Sequence, residues 1–109
     1  MVRVWQAMLA GRLLAPATVG HAYAQLHPMF DAGTWYGRGV MLTEFRDGDA
    51  PLNVWLGHAG GTPSARAVIG YDVASRVFLA VAINGDVPAE AAANRLLKEV
   101  RAHRAPAGR

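Results

Sequence analysis

Four runs of strand-forming residues follow one another, Trp35–Phe45, Leu52–Gly57, Ala65–Tyr71 and Val77–Ile83, with only segments 46–51, 58–64 and 72–76 between them. A parallel pair needs a crossover of about a dozen residues or more, usually a helix, whereas connections this short join antiparallel neighbours. The succession therefore restricts the chain to an antiparallel sheet. Asp47-Gly48-Asp49-Ala50-Pro51 reads as a turn of the Asp-Gly kind closing the first hairpin. Gly37 and Gly39 flank Arg38 and weaken or bulge the first run. Val77–Ile83 is apolar at every position, which predicts a central strand covered on both faces.

Helical patterns bracket the strands. Val2, Trp5, Met8, Leu9 and Leu13 recur at helical spacing and predict an amphipathic helix that stops near Gly11. Pro16 suits the first turn of a second helix running to about Leu26, where His27-Pro28 ends it; Asp31–Thr34 is a loop. A closing helix begins around Asp86–Pro88 and runs to about His103. Asp86 and Glu90 lie near its positive end, Lys98, Arg101 and Arg104 near its negative end, as the macrodipole favours. Ala93, Leu96, Leu97 and Val100 give it a face to cover the sheet. The expected fold class is α+β, an antiparallel sheet of about four strands with N-terminal helices and a C-terminal helix packed on it. One domain fills 1–109, with 105–109 a frayed tail.

Composition narrows function by exclusion. The chain has no cysteine, which removes disulfides, thiolate catalysis and thiolate metal sites and leaves the redox compartment open. Its net charge of +3 would suit nucleic acid, yet Arg3, Arg12, Arg38, Arg46, Arg66, Arg76, Arg95 and Arg101 are spread evenly. Spread arginines mark solvated surface, so no nucleic-acid partner is expected. No apolar run reaches the ~18 residues that span a bilayer. Arg3, Met8–Leu14 and Ala22-Tyr23-Ala24 mimic a signal peptide, but Arg12 splits the apolar stretch and Pro16 and His21 follow it. The segment reads as helix, and localisation stays open. His21, His27, His58 and His103 are too widely spaced for a metal motif, and no P-loop spacing is present, so neither metal nor cofactor is implied.

Gly57-His58-Ala59-Gly60-Gly61-Thr62-Pro63 carries the chemistry, set between two strand-like runs. Glycine lacks a Cβ, so main-chain N–H groups there can point at a bound oxygen without obstruction, as an anion or oxyanion site requires. The plainer readings are a strand-end histidine bonded to a neighbouring loop, and ordinary turn glycines. Trp35, Tyr36 and Trp55 read more simply as core or cross-strand aromatics than as a ligand platform.

Laid in order, Trp35-Tyr36-Gly37-Arg38-Gly39-Val40, Gly57–Pro63, Ile69-Gly70-Tyr71-Asp72 and Val81-Ala82-Ile83-Asn84-Gly85-Asp86 resemble the C-terminal third of the class C β-lactamase-related serine hydrolases. That family includes penicillin-binding proteins, D-alanyl-D-alanine carboxypeptidases and esterases. Ala7–Thr18 is similar to the family's helix and turn before this region, so the resemblance covers about residues 3–100. It implies a partial β-lactamase/transpeptidase-like fold in which a serine of a Ser-x-x-Lys motif attacks a lactam, ester or peptide carbonyl. By resemblance His58 stands where the family places Lys or His, and Ala59 and Gly60 fill the next two places. Gly61 would donate its N–H to the oxyanion hole, a donor worth ~3 kcal/mol of transition-state stabilisation. The resemblance thus makes His58, Gly60 and Gly61 catalytic positions and Ala59 and Thr62 substrate-binding ones. Ala59 departs from the usual hydroxyl residue and costs a substrate carboxylate one hydrogen bond, which favours an ester or peptide over efficient β-lactam hydrolysis.

The larger departure is absence. Ser64 leads to Ala67 and Ser75 to Phe78, so no Ser-x-x-Lys exists; Tyr23, Tyr36 and Tyr71 lead to Gln25, Arg38 and Val73, so no Tyr-x-Asn exists. Acyl-enzyme chemistry needs a nucleophile beside a base. The expectation is a C-terminal portion of such a hydrolase, inactive alone, whose small acyl substrate belongs to the complete enzyme. Its expected partners are a complementing N-terminal segment or a second copy across an exposed sheet. The rival reading is a free-standing, non-catalytic α+β module that binds a ligand or a protein through its sheet.

Overall fold

The structure, a computed structural model, describes residues 1–29, 32–45 and 53–104. Its elements run α1 (Val2–Leu9), α2 (Pro16–Tyr23), β1 (His27–Pro28), β2 (Thr34–Tyr36), β3 (Met41–Phe45), β4 (Asn53–Thr62), β5 (Ala65–Asp72), β6 (Val77–Ile83) and α3 (Ala89–Arg104). The six strands form one sheet in sequence order, every neighbour antiparallel. The α+β class and the terminal helices are as the sequence predicts.

The sheet has two strands more than expected. The run Trp35–Phe45 is two strands, because Gly39 at φ +72° turns the chain and the Gly37 N–H closes onto the Val40 carbonyl at 2.8 Å. His27-Pro28 does not end α2, which stops at Tyr23, but pairs with Tyr36 and Trp35 as an edge strand, a place where proline's missing N–H costs no ladder bond. Both N-terminal helices stop earlier than their apolar spacing suggests, at Leu9 and Tyr23. The Asp47–Pro51 turn and the tail from Ala105 lie outside the described residues.

A second difference concerns β6. Its apolar sequence suggests a central strand, but it is the last strand of the sheet, paired only with β5. The run is apolar because helices lie over both faces: α3 on one, and α1 on the other, each against β5 and β6. Trp55, Val68 and Leu79 meet Ala89, Ala93 and Leu97 in the core under α3. Ala93 is fully buried, its small side chain letting the helix approach the sheet. On the opposite face the Trp5 indole N–H donates to the Leu56 carbonyl at 3.0 Å and ties α1 down.

Asp72, with no exposed surface, anchors the far end of α3. It accepts hydrogen bonds from the Ser75 N–H at 2.9 Å, from the Ser75 hydroxyl, and from Arg101 Nη2 at 2.7 Å. Arg101 also donates to Asn53 Oδ1, and Arg104 to the Ser75 carbonyl. The α3 helix is thereby fixed over β5 and β6, and among the described residues no helix covers the β2–β3 half of the same face.

Candidate functional site

The site begins with a difference in strand length. Met41, the first residue of β3, pairs with Gly57, so residues 58–62 of β4 continue past the start of β3 while remaining paired with β5. The expected connection over 58–64 is therefore strand as far as Thr62, and only Pro63-Ser64 turns. A two-residue turn makes Thr62 and Ala65 a mutually hydrogen-bonded pair, and alternation does the same for Gly60 with Ala67 and His58 with Ile69. Ala59 and Gly61 must then turn their N–H groups away from β5. Ala59 shows this directly, its N–H lying 3.4 Å from Met41 Sδ. Gly61, two residues on, directs its N–H to the same side, where pairing with β3 has already ended.

This edge opens on a cavity of about 700 Å³. Its floor is the sheet that α3 leaves open, with Thr34, Tyr36, Met41 and Thr43; its β4 wall is His58, Ala59, Gly60 and Gly61; the segment before α3 contributes Asp86, Val87 and Pro88, and the first turn of α3 Glu90. Charge sits at the margin. Arg66 forks onto Asp86 Oδ1 through Nε at 3.1 Å and Nη2 at 2.6 Å, both side chains exposed, while Glu44 and Glu90 bring carboxylates to other sides. An exposed ion pair of this kind is worth less than ~1 kcal/mol, so it shapes the rim more than it stabilises the fold.

Inside, the Tyr36 hydroxyl lies 3.1 Å from His58 Nε2, and the rings meet edge to face with centroids 5.6 Å apart and planes at 82°. The plainer reading of His58, a strand-end residue bonded to a loop, is replaced by one in mid-strand bonded across the sheet to β2. The arrangement offers one imidazole, one phenol and an outward main-chain N–H around a space that admits a small molecule.

Of the sequence-derived site residues, His58, Ala59, Gly60 and Gly61 all line this cavity; Thr62 does not, being an exposed residue at the mouth of the hairpin. Gly60 faces open space, since a Cβ there would meet no atom within 4 Å. Trp55 is core, as its simpler reading holds. Tyr36, which the sequence reads more simply as a core or cross-strand aromatic than as part of a ligand platform, instead lines the cavity and bonds His58; its role as that partner carried no signal in the sequence. Arg66, Asp86 and Glu90 carried no local signal, because topology alone brings them to the site. Among the described residues no three histidine, aspartate or glutamate side chains converge as metal ligands.

No protein-family model matches the chain, and no curated protein matches it. One solved structure does: D-amino acid amidase from Ochrobactrum anthropi SV3 complexed with D-phenylalanine, with a TM-score of 0.67 and 21% sequence identity over 90% of this chain. The chain has a partial β-lactamase-like fold. It spans 34% of the amidase chain, so the likeness covers the sheet and its flanking helices and leaves most of the amidase unmatched. At this identity the likeness establishes the β-lactamase-like fold, and no residue role is transferred by it. Among the described residues no helix is long and apolar enough to cross a membrane.

Proposed function

We propose that this chain is the C-terminal portion of a β-lactamase-related serine hydrolase that works by acyl transfer, its cavity forming one wall of the active site. The observation that carries the reading is the overhang of β4, which turns the Gly61 N–H toward open space beside His58 in a fold of this type. A main-chain N–H held on a rigid strand can stabilise the oxyanion of a tetrahedral intermediate without reorganising, an effect of ~3 kcal/mol. His58 supplies a hydrogen-bonding group beside it. The nucleophile and its base come from residues outside this chain, which has neither Ser-x-x-Lys nor Tyr-x-Asn. Alone, the chain does not turn over.

Amides of D-amino acids are the first substrates to test, by analogy with the amidase, together with esters and D-alanyl-D-alanine peptides. The absence of a hydroxyl at Ala59 argues against efficient β-lactam hydrolysis. The experiment is labelling with a fluorophosphonate and with a fluorescent penicillin, on the chain alone and after mixing with a segment bearing Ser-x-x-Lys and Tyr-x-Asn. Label should appear only in the mixture, on the added serine. Label on Ser64 or Ser75 of the isolated chain would overturn the reading.

A further inference from the structure

The imidazole of His58 has a single hydrogen-bond partner among the described residues, the hydroxyl of Tyr36, and that hydroxyl has only His58. Each group therefore determines the protonation pattern of the other. A neutral imidazole carries one N–H and one bare nitrogen, and a phenol carries one donor hydrogen and an accepting oxygen. If Nε2–H donated to the phenol oxygen, the phenol hydrogen and the bare Nδ1 would both lack a protein partner. If the phenol donates to Nε2, its only hydrogen meets the ring's only bare nitrogen, and the group left for a ligand is Nδ1–H. Each arrangement leaves one donor and one acceptor without a protein partner, so acidity and basicity decide. A neutral imidazole nitrogen is a much stronger acceptor than a phenol oxygen, and the phenol O–H a stronger donor than an imidazole N–H, which favours O–H···Nε2. The edge-to-face contact of the rings, at 82°, holds the imidazole plane where this bond can form.

We propose that Tyr36 is a positioning residue that holds His58 as the neutral Nδ1–H tautomer, so that His58 meets a ligand as a hydrogen-bond donor and not as a base. The bond joins β2 to β4, elements that meet only through β3, and both side chains line the cavity. In that state the ring adds a side-chain donor to the main-chain donor of Gly61. Both suit a ligand oxygen that carries or develops negative charge, such as a carboxylate or the oxygen of a carbonyl under attack. The assignment deepens the hydrolase reading for the same cavity, but it rests on the geometry of the pair and is tested without turnover.

The measurement is a long-range proton–nitrogen correlation spectrum of the nitrogen-15-labelled chain at about pH 8.5, where an imidazole of ordinary pKa is neutral. The His58 signals are assigned by their loss in His58→Gln. The expected result is one tautomer, with the proton on Nδ1 and Nε2 bare. Tyr36→Phe keeps the ring and removes the hydroxyl, and should let the proton redistribute onto Nε2 while Met41→Leu, which touches Ala59 instead, leaves the pattern unchanged. A wild-type spectrum with the proton on Nε2, or a Tyr36→Phe spectrum identical to wild type, would overturn the proposal. Should Tyr36→Phe not fold, the wild-type tautomer decides alone. Failure of the labelling experiment with a Nδ1–H spectrum intact would sink the hydrolase reading and leave this one standing.

Discussion

Arg101 Nη2 donates to Asp72 Oδ2 at 2.7 Å, joining the last turns of α3 to the end of β5 across 29 residues of sequence. Burial by itself pushes the Asp72 carboxyl up, but the Ser75 hydroxyl, the Arg101 guanidinium and the Ser75 amide outweigh it and hold the carboxyl below its ordinary value. A depressed carboxyl contributes stability that is fully present above the unfolded value, near ~3.9, and is lost as pH falls through the lower folded value. Wild-type stability should therefore decline below about pH 4 in urea titrations. Asp72→Asn should cost about 2 kcal/mol at neutral pH, Arg101 being partly solvated, and should flatten the acid limb. An unchanged acid limb would show that Asp72 does not carry the dependence.

Gly57 and Gly60 make a matched pair for testing the β4 edge. A Cβ at Gly57 would overlap the Ile69 carbonyl and lie 2.8 Å from the Gly70 Cα, backbone that cannot yield. Gly57→Ala should cost about 3 kcal/mol, whereas Gly60→Ala, facing open space, should stay within about 0.5 kcal/mol of wild type. Thermal melts of both variants check the contrast.

Arg76 adopts φ +57°, a left-handed conformation that costs a side-chain-bearing residue roughly 1–2 kcal/mol. Its N–H closes the β5–β6 turn on the Asp72 carbonyl at 2.8 Å, so the turn must keep this shape. Arg76→Gly should raise stability by up to ~1 kcal/mol, the gain reduced by glycine's greater freedom when unfolded. Arg76→Ala, with the same strain, should show no such gain in the same melts.

The outer edge of β6 should draw a second copy of the chain. Ladder alternation turns the N–H and carbonyl groups of Phe78, Ala80 and Ala82 outward, and the strand carries no charge or proline to deter pairing. Light scattering on the purified chain should report dimers or larger assemblies, and Ala82→Lys, placing a charge at this exposed position, should reduce them. A concentrated monomer would favour the free-standing module instead.

Much of the fold was legible because local pattern and tertiary outcome agree. Val77–Ile83 and the closing helix were readable as strand and helix from apolar runs, end charges and periodicity alone, although the helix starts at Ala89 rather than at Asp86–Pro88. The position of β6 at the edge was not, since a run apolar at every position reports layers over both faces, which an edge strand can have as well as a central one. At the site, His58, Ala59, Gly60 and Gly61 stood out through glycine's unusual chemistry. Their strand conformation was hidden because glycine-rich sequence signals turns more strongly than a ladder. The Tyr36–His58 bond lay beyond reach, because it depends on how far β3 separates β2 from β4.

The head start of β4 over β3 makes access a matter of neighbouring length. Four additional ladder residues ahead of Met41 would bring carbonyls opposite Ala59 and Gly61 and seal both amides, with every residue of β4 unchanged. Drift in the turn before β3 could thus silence the pocket as thoroughly as losing the histidine.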